Sequence, residues 1–157
     1  MNIQKFLLLV GLFVAGAAIG ATVATNSNST PAMKLGAFSV SLSVKDVPVS
    51  WAFYEKLGFH KVMGDPKKNW LIIRSGETTL GLFHGEFPKN SFTFNPGWDS
   101  QNQPLKEFDD VREIQKRLKA QGVKLDTEVD EKTKGPGSIA LTDPDGNPIL
   151  FDQHVGG

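Results

Sequence analysis

Thr142-Asp143-Pro144-Asp145-Gly146-Asn147-Pro148-Ile149-Leu150-Phe151-Asp152 is the stretch that decides the fold. Its Asp-Pro-Asp-Gly-Asn-Pro centre reads as a tight turn between two short apolar strands, Ile139 to Leu141 and Ile149 to Phe151. Gly146 supplies the positive φ such a turn needs, and Asp and Asn tolerate it. The chain is therefore expected to close on a β-hairpin whose sheet partners lie upstream.

Working outward, Phe38-Ser39-Val40-Ser41-Leu42-Ser43-Val44 alternates strictly and predicts a half-buried strand. Val40, Leu42 and Val44 take one face and Ser39, Ser41 and Ser43 the other. Asp46 then caps a helix with Val47, Trp51, Tyr54 and Leu57 on its apolar face, and Gly58 ends it. Strands follow near Phe59 to Met63, Trp70 to Arg74 and Thr78 to Phe83. The second half repeats the grammar. Asp110 caps a helix bearing Val111, Ile114 and Leu118, Glu113 stands at the capping-box position, and Gly122 ends it. Both cap-to-glycine intervals are twelve residues, 46 to 58 and 110 to 122. Strands recur near Val123 to Glu128, Ser138 to Thr142 and Pro148 to Phe151. A doubled unit of this kind is a specific pattern.

With that hairpin closing it, the doubled unit resembles the vicinal oxygen chelate superfamily of glyoxalases, extradiol dioxygenases and bleomycin-resistance proteins. The resemblance implies an α+β fold, two tandem βαβββ units forming a curled mixed-sheet cup. It spans residues 35–157, with units at 35–85 and 90–155. It also implies four metal-ligand positions, normally His, Glu or Gln, pointing into the cup. Carried over, the first falls on Ser39, seven residues before the capping Asp46. The family's Ile-Glu-Leu pattern matches Leu80-Gly81-Leu82 and again Ile149-Leu150-Phe151, placing Gly81 and Leu150 at two more. The fourth falls near Ser91 or Thr93, or on Gln103, depending on how the inserted segment Asn95 to Phe108 is counted. A serine hydroxyl is a poor donor for a divalent ion, and glycine and leucine side chains are none. No metal and no cofactor are expected.

Strand parity places Ser39, Ser41, Ser43, Thr79, Gly81, Phe83, Thr93, Asn95, Leu150 and Asp152 on the concave face. That is a hydroxyl-rich, mildly apolar lining suited to a small molecule. Trp98, on the inserted Pro-Gly turn, is open to three readings: stacking on a ligand, plugging the cup, or packing against a second chain. Asp152 and His154 share the parity of Leu150 and either form an acid/base pair at the cup mouth or are rim residues. His84 should face away. Trp51 and Tyr54 read as core, and Lys116, Arg117 and Lys119 as a solvated helix face.

Composition bounds the rest. The 157 residues suffice for one domain with a real core. Seventeen basic and seventeen acidic side chains give no net field for nucleic acid, and with no cysteine there is no disulfide, thiolate or zinc–sulfur site. Phe6 to Ala24 carries no charge and follows Lys5, and Thr22-Val23-Ala24 fits a cleavage site, so residues 1–24 are expected to act as a signal peptide. The alternatives are a membrane anchor through residues 6–24 and a start at Met33. Gly16 and Gly20 have the spacing of a helix-dimer motif, and Asn28-Ser29-Thr30 that of a glycosylation sequon, both weak signals. Residues 25–34 read as a polar linker. The expected function is an exported, metal-free, small-molecule-binding domain, which lacks the evident acidic groove of drug-sequestering relatives. The rivals are a glyoxalase-like lyase or dioxygenase-type enzyme with a non-standard site, and a protein-interaction module with a filled cup. Whether the cup closes within one chain or in a homodimer is left open.

Overall fold

The computed structural model describes residues 31–156. The expected signal or anchor, its cleavage site, the sequon and the linker as far as Thr30 lie outside the described residues. The elements run β1 (Ala37–Ser43), α1 (Val47–Lys56), β2 (His60–Asp65), β3 (Trp70–Ser75), β4 (Thr78–Phe83), β5 (Ser91–Asn95), α2 (Val111–Ala120), β6 (Gly137–Thr142) and β7 (Pro148–Gln153). They form one mixed sheet in the order β2-β3-β4-β1-β5-β7-β6. β1 and β5 pair antiparallel at its centre, and each runs parallel to its own unit's last strand, β4 or β7.

The helices form where the caps placed them. Asp46 accepts the Val49 N–H (2.8 Å) and Asp110 the Arg112 N–H (2.9 Å), satisfying amides that a helix start leaves unpaired. Gly58 and Gly122 follow the helix ends at φ 87° and 77°, a region in which a side chain would be strained. Each helix closes its own core. Val47 packs with Leu71, Ile73 and Leu82, flanked by the half-buried Trp51 and Tyr54. Val111, Ile114 and Leu118 pack with Ile139, Leu141 and Phe151. Met33 and Leu35 pack against that second core, so part of the segment read as linker is held in the fold.

Three local expectations are corrected. Val123 to Glu128 is not a strand. Only Thr127 bridges Ala140 there, the Asp126 and Thr127 N–H groups both donating to the Ala140 carbonyl, and α2 side chains take over just past that span, at Val129. Gln115 accepts the Val129 N–H and donates to its carbonyl (2.9 and 3.0 Å), satisfying the backbone groups that a ladder would otherwise have served. Leu57 is exposed: lying eight residues after Val49 and four after Phe53, it continues their outward stripe and not the Val47 face. Glu113 makes an ion pair with Lys116 (2.7 Å) in place of a capping box.

Candidate functional site

The concave face of the sheet encloses a cavity of about 320 Å³, at the small end of ligand pockets. Most of the residues that parity places on the concave face line it, and Trp98 of the inserted turn is with them. Ser39, Ser41, Thr79, Phe83, Thr93, Asn95, Trp98, Leu150 and Asp152 all line it, joined by Met63, Trp70, Ile72, Phe87, Asn102 and His154. A bulge at Val62 sets Met63 opposite Ile72, which is how an irregular strand delivers a methionine to the lining. Ser43 does not join them: its hydroxyl is turned to the Phe87 carbonyl (2.7 Å) at the rim. His84 faces outward, its ring nitrogen on the Val44 carbonyl (3.1 Å), as expected.

Gly81 is buried beneath the lining. A Cβ there would lie 2.4 Å from the Phe83 ring and 3.3 Å from Ile72, so the missing side chain is what lets Phe83 fold over the cup floor. The pairing registers also order the ligand positions. Ser41 is opposite Gly81 and Thr93 opposite Leu150, so Ser41 corresponds to Thr93 between units and Ser39 to Ser91. Ser41 and Thr93 share a hydrogen bond (3.1 Å), and the Ser91 hydroxyl is buried without a partner. Gln103 lies exposed on the inserted loop, its amide on the Gln101 carbonyl (3.3 Å). The four family positions thus hold Ser39, Gly81, Ser91 and Leu150. Among the described residues no three His, Asp or Glu side chains converge as a metal site would require. These residues do not fit a divalent ion.

At the other rim Asp152 and His154 come together. They lie 3.2 Å apart, and the imidazole stacks on Trp98 (centroids 4.3 Å, 17°). Trp98 is placed by the Asn95-Pro96-Gly97 turn, its N–H on the Asn95 carbonyl (3.1 Å) and its own carbonyl accepting the Ala37 N–H (2.8 Å). The hydrogen bond to Asp152 raises the His154 pKa above its ordinary value, against the opposing effect of burial. A raised histidine adds stability that is fully present below its unfolded pKa and fades as pH rises through the folded one. With both side chains more than a third exposed, the effect on stability is small. The titration itself is the sharper readout. Followed by NMR, His154 should titrate above a free histidine, and Asp152→Asn should bring its midpoint down. An unchanged midpoint in the variant would show that the two side chains are not paired in solution.

Sequence reasoning missed Arg74. It shares the parity of Trp70 and Ile72, is only 5% exposed, and reaches the inserted loop. Its Nε donates to Thr79 Oγ1 (3.1 Å), Nη1 to Gln101 Oε1 (3.4 Å) and Nη2 to Asn102 Oδ1 (2.8 Å). Parity along β3 was the available signal; the partners on the loop were not readable.

The family model described as Glyoxalase/Bleomycin resistance protein/Dioxygenase superfamily matches residues 36–151. The chain belongs to that superfamily. Among solved structures it is similar to a Legionella pneumophila protein described as an NAD-dependent benzaldehyde dehydrogenase. Identity is 16%, with 74% of this chain and 98% of that chain covered at a TM-score of 0.56. It is similar also to a glyoxalase/bleomycin resistance protein/dioxygenase superfamily member from Vibrio splendidus 12B01, at 17% identity, 75% and 97% coverage and a TM-score of 0.52. At these identities the likeness is one of fold. No curated protein matches the chain.

Proposed function

We propose that this protein is an exported, metal-free binder of a small molecule, held in the cup of its glyoxalase-like domain. The observation that carries the reading is the cavity itself: about 320 Å³, walled by hydroxyls and aromatic rings, with Ser39, Gly81 and Leu150 where a metal-dependent relative needs donors. An open cavity of that size favours a ligand over an interaction module with a filled cup. The proposed organisation is a cleaved signal at residues 1–24, a linker from residue 25 that joins the fold at Met33, and the binding domain beyond it. Export rests on the uncharged run Phe6 to Ala24 after Lys5. The Asp152–His154 pair supports a second reading, acid/base catalysis at the rim without a metal, because an imidazole with a raised pKa beside a carboxylate can hold and deliver a proton.

One experiment tests export and the metal-free state together. The chain is expressed with its native N-terminus in a secreting host and recovered without metal-affinity resin. Native mass spectrometry should find a product beginning near Thr25, carrying no stoichiometric nickel, zinc, manganese or iron. Its thermal midpoint should not respond to a chelator, since a metal bound only by the native state would raise it by linkage. Stoichiometric metal lost together with activity on chelation would overturn the binder reading, and a full-length cytoplasmic product would overturn export.

A further inference from the structure

Two arginines in the described residues are each 5% exposed, and they differ in one respect. Arg112 has a carboxylate, Asp110, at 3.1 Å. Arg74 has only neutral partners, Thr79, Gln101 and Asn102, and among the described residues no Asp or Glu forms an ion pair with it. A buried guanidinium without a counterion is costly. It carries five N–H donors, of which these bonds engage three.

The neutral partners also transmit the charge. A guanidinium can only donate, so it fixes Thr79 Oγ1 and Asn102 Oδ1 as acceptors. The Thr79 hydroxyl proton and the Asn102 amide protons are then the groups left to serve the cavity, which both residues line. The wall in front of Arg74 therefore offers donors backed by a positive charge. The acidic group at that end, Asp152, is already engaged by His154 at 3.2 Å.

The registers give this wall a position. Arg74, Thr79, Ser39, Thr93 and Leu150 lie in one row across the sheet. Trp70 pairs with Phe83 at the opposite end of β3, about 13 Å away along the strand, and Phe87 packs edge-on against Phe83 at 5.1 Å. One end of the cavity is thus an aromatic slot, where the exposed Glu86 beside Phe87 disfavours an anion, and the other a donor wall.

Building on the reading of the cup as a ligand site, we propose that it takes a small organic carboxylate. The carboxylate faces Thr79 and Asn102 in front of Arg74, and the apolar body lies against Trp70, Phe83 and Phe87. The ligand supplies the missing counterion, and charge-assisted bonds to it are the strong kind.

The test compares 4-phenylbutanoate with its neutral isostere 4-phenylbutanamide by titration calorimetry on protein produced from the full chain. Indole N–H shifts of Trp70 and Trp98 locate the bound probe. Wild type should bind the carboxylate at least ~10-fold more tightly than the amide. Arg74→Gln should bring the two within about twofold by weakening only the carboxylate. Should that variant fail to fold, Asn102→Gly carries the same comparison. It removes the amide donor, keeps the left-handed backbone (φ 60°), and should cut the preference several-fold. Equal affinity for both probes in wild type, or a preference that survives both substitutions, overturns the anion inference and leaves the cup a binding site. Failure of the carboxylate to bind, or to shift the two indoles when bound, overturns the inference, and failure of both probes counts against the cup itself.

Discussion

Asp110→Ala should lower the unfolding free energy by about 2–4 kcal/mol, roughly 10 °C in Tm. The carboxylate is the hub of the second unit. It caps α2 through the Arg112 N–H, pairs with the Arg112 guanidinium, and accepts from Gln153 Nε2 (2.8 Å). Gln153 in turn accepts the Val111 N–H (2.8 Å) and donates to the carbonyls of Gly135 and Val155 (3.1 Å each), joining the helix start to the end of β7. Loss of the cap accounts for about 1 kcal/mol. The remainder comes from leaving Arg112 buried with only Thr133 and two carbonyls as partners. Burial pushes the Asp110 pKa up, but the bonds from Gln153 and Arg112 outweigh it and hold it below the ordinary carboxylate range. A depressed acid contributes stability that is present above its unfolded pKa and lost as pH falls through the folded one. The gap between wild type and variant should therefore narrow in urea titrations as pH is lowered below about 4. Asp110→Asn, which keeps a capping oxygen, should recover part of the loss at neutral pH. A cost for Asp110→Ala below about 1 kcal/mol would mean that the network contributes no more than an ordinary cap.

That network also explains which parts of the fold were legible in the sequence. Capping residues, glycine stops and alternating strands act over a few positions, so Asp46 to Gly58, Asp110 to Gly122 and the Asp143–Pro148 turn could be read directly. The turn is tied as its composition implies, with Asp143 accepting the N–H groups of Asp145 and Asn147 (2.9 and 2.8 Å) and Gly146 at φ 84°. Parity is equally local, which is why it places Ser39 and Ser41 of β1 and Thr93 of β5 on the lining. Side chains that reach far along the chain leave no such trace. Gln115 satisfies Val129 fourteen residues on, and the strand expected at Val123 to Glu128 is not needed to satisfy that backbone. Arg74 meets a loop twenty-eight residues away, so a lining judged free of strong charge has a guanidinium behind it. Leu57 differs for another reason. An apolar residue near the end of a helix reads as part of the buried face, although its angular position aligns it with Val49 and Phe53, both exposed.

Gly81→Glu should be the most damaging single change in the cup, at about 3 kcal/mol or more, and should not create a metal site. In a metal-dependent relative this position would hold the glutamate donor of the Ile-Glu-Leu pattern. Here the backbone is buried, and even a Cβ would sit 2.4 Å from Phe83 Cε2 and 3.3 Å from Ile72 Cδ1. The ring can yield only by swinging away from its edge-on contact with Phe87 (5.1 Å) into the cavity. The added carboxylate would be desolvated beside Ser41, its partner across β1, whose hydroxyl is already shared with Thr93 (3.1 Å). Gly81→Ala isolates the steric part and should cost about 1–3 kcal/mol, since a displaced ring is cheaper to accommodate than displaced backbone. The difference between the two variants measures the buried charge. Adding Leu150→Glu and Ser39→His supplies three donors, and chelator-sensitive stability in that triple variant would show that only donor identity separates this cup from a metal-binding one. Indifference to chelator would place the difference in shape as well, with Phe83 over the floor closing the volume an ion and its ligands require. Should Gly81→Glu prove neutral, the cup floor is looser than the Phe83 packing implies, and the steric argument against a metal fails.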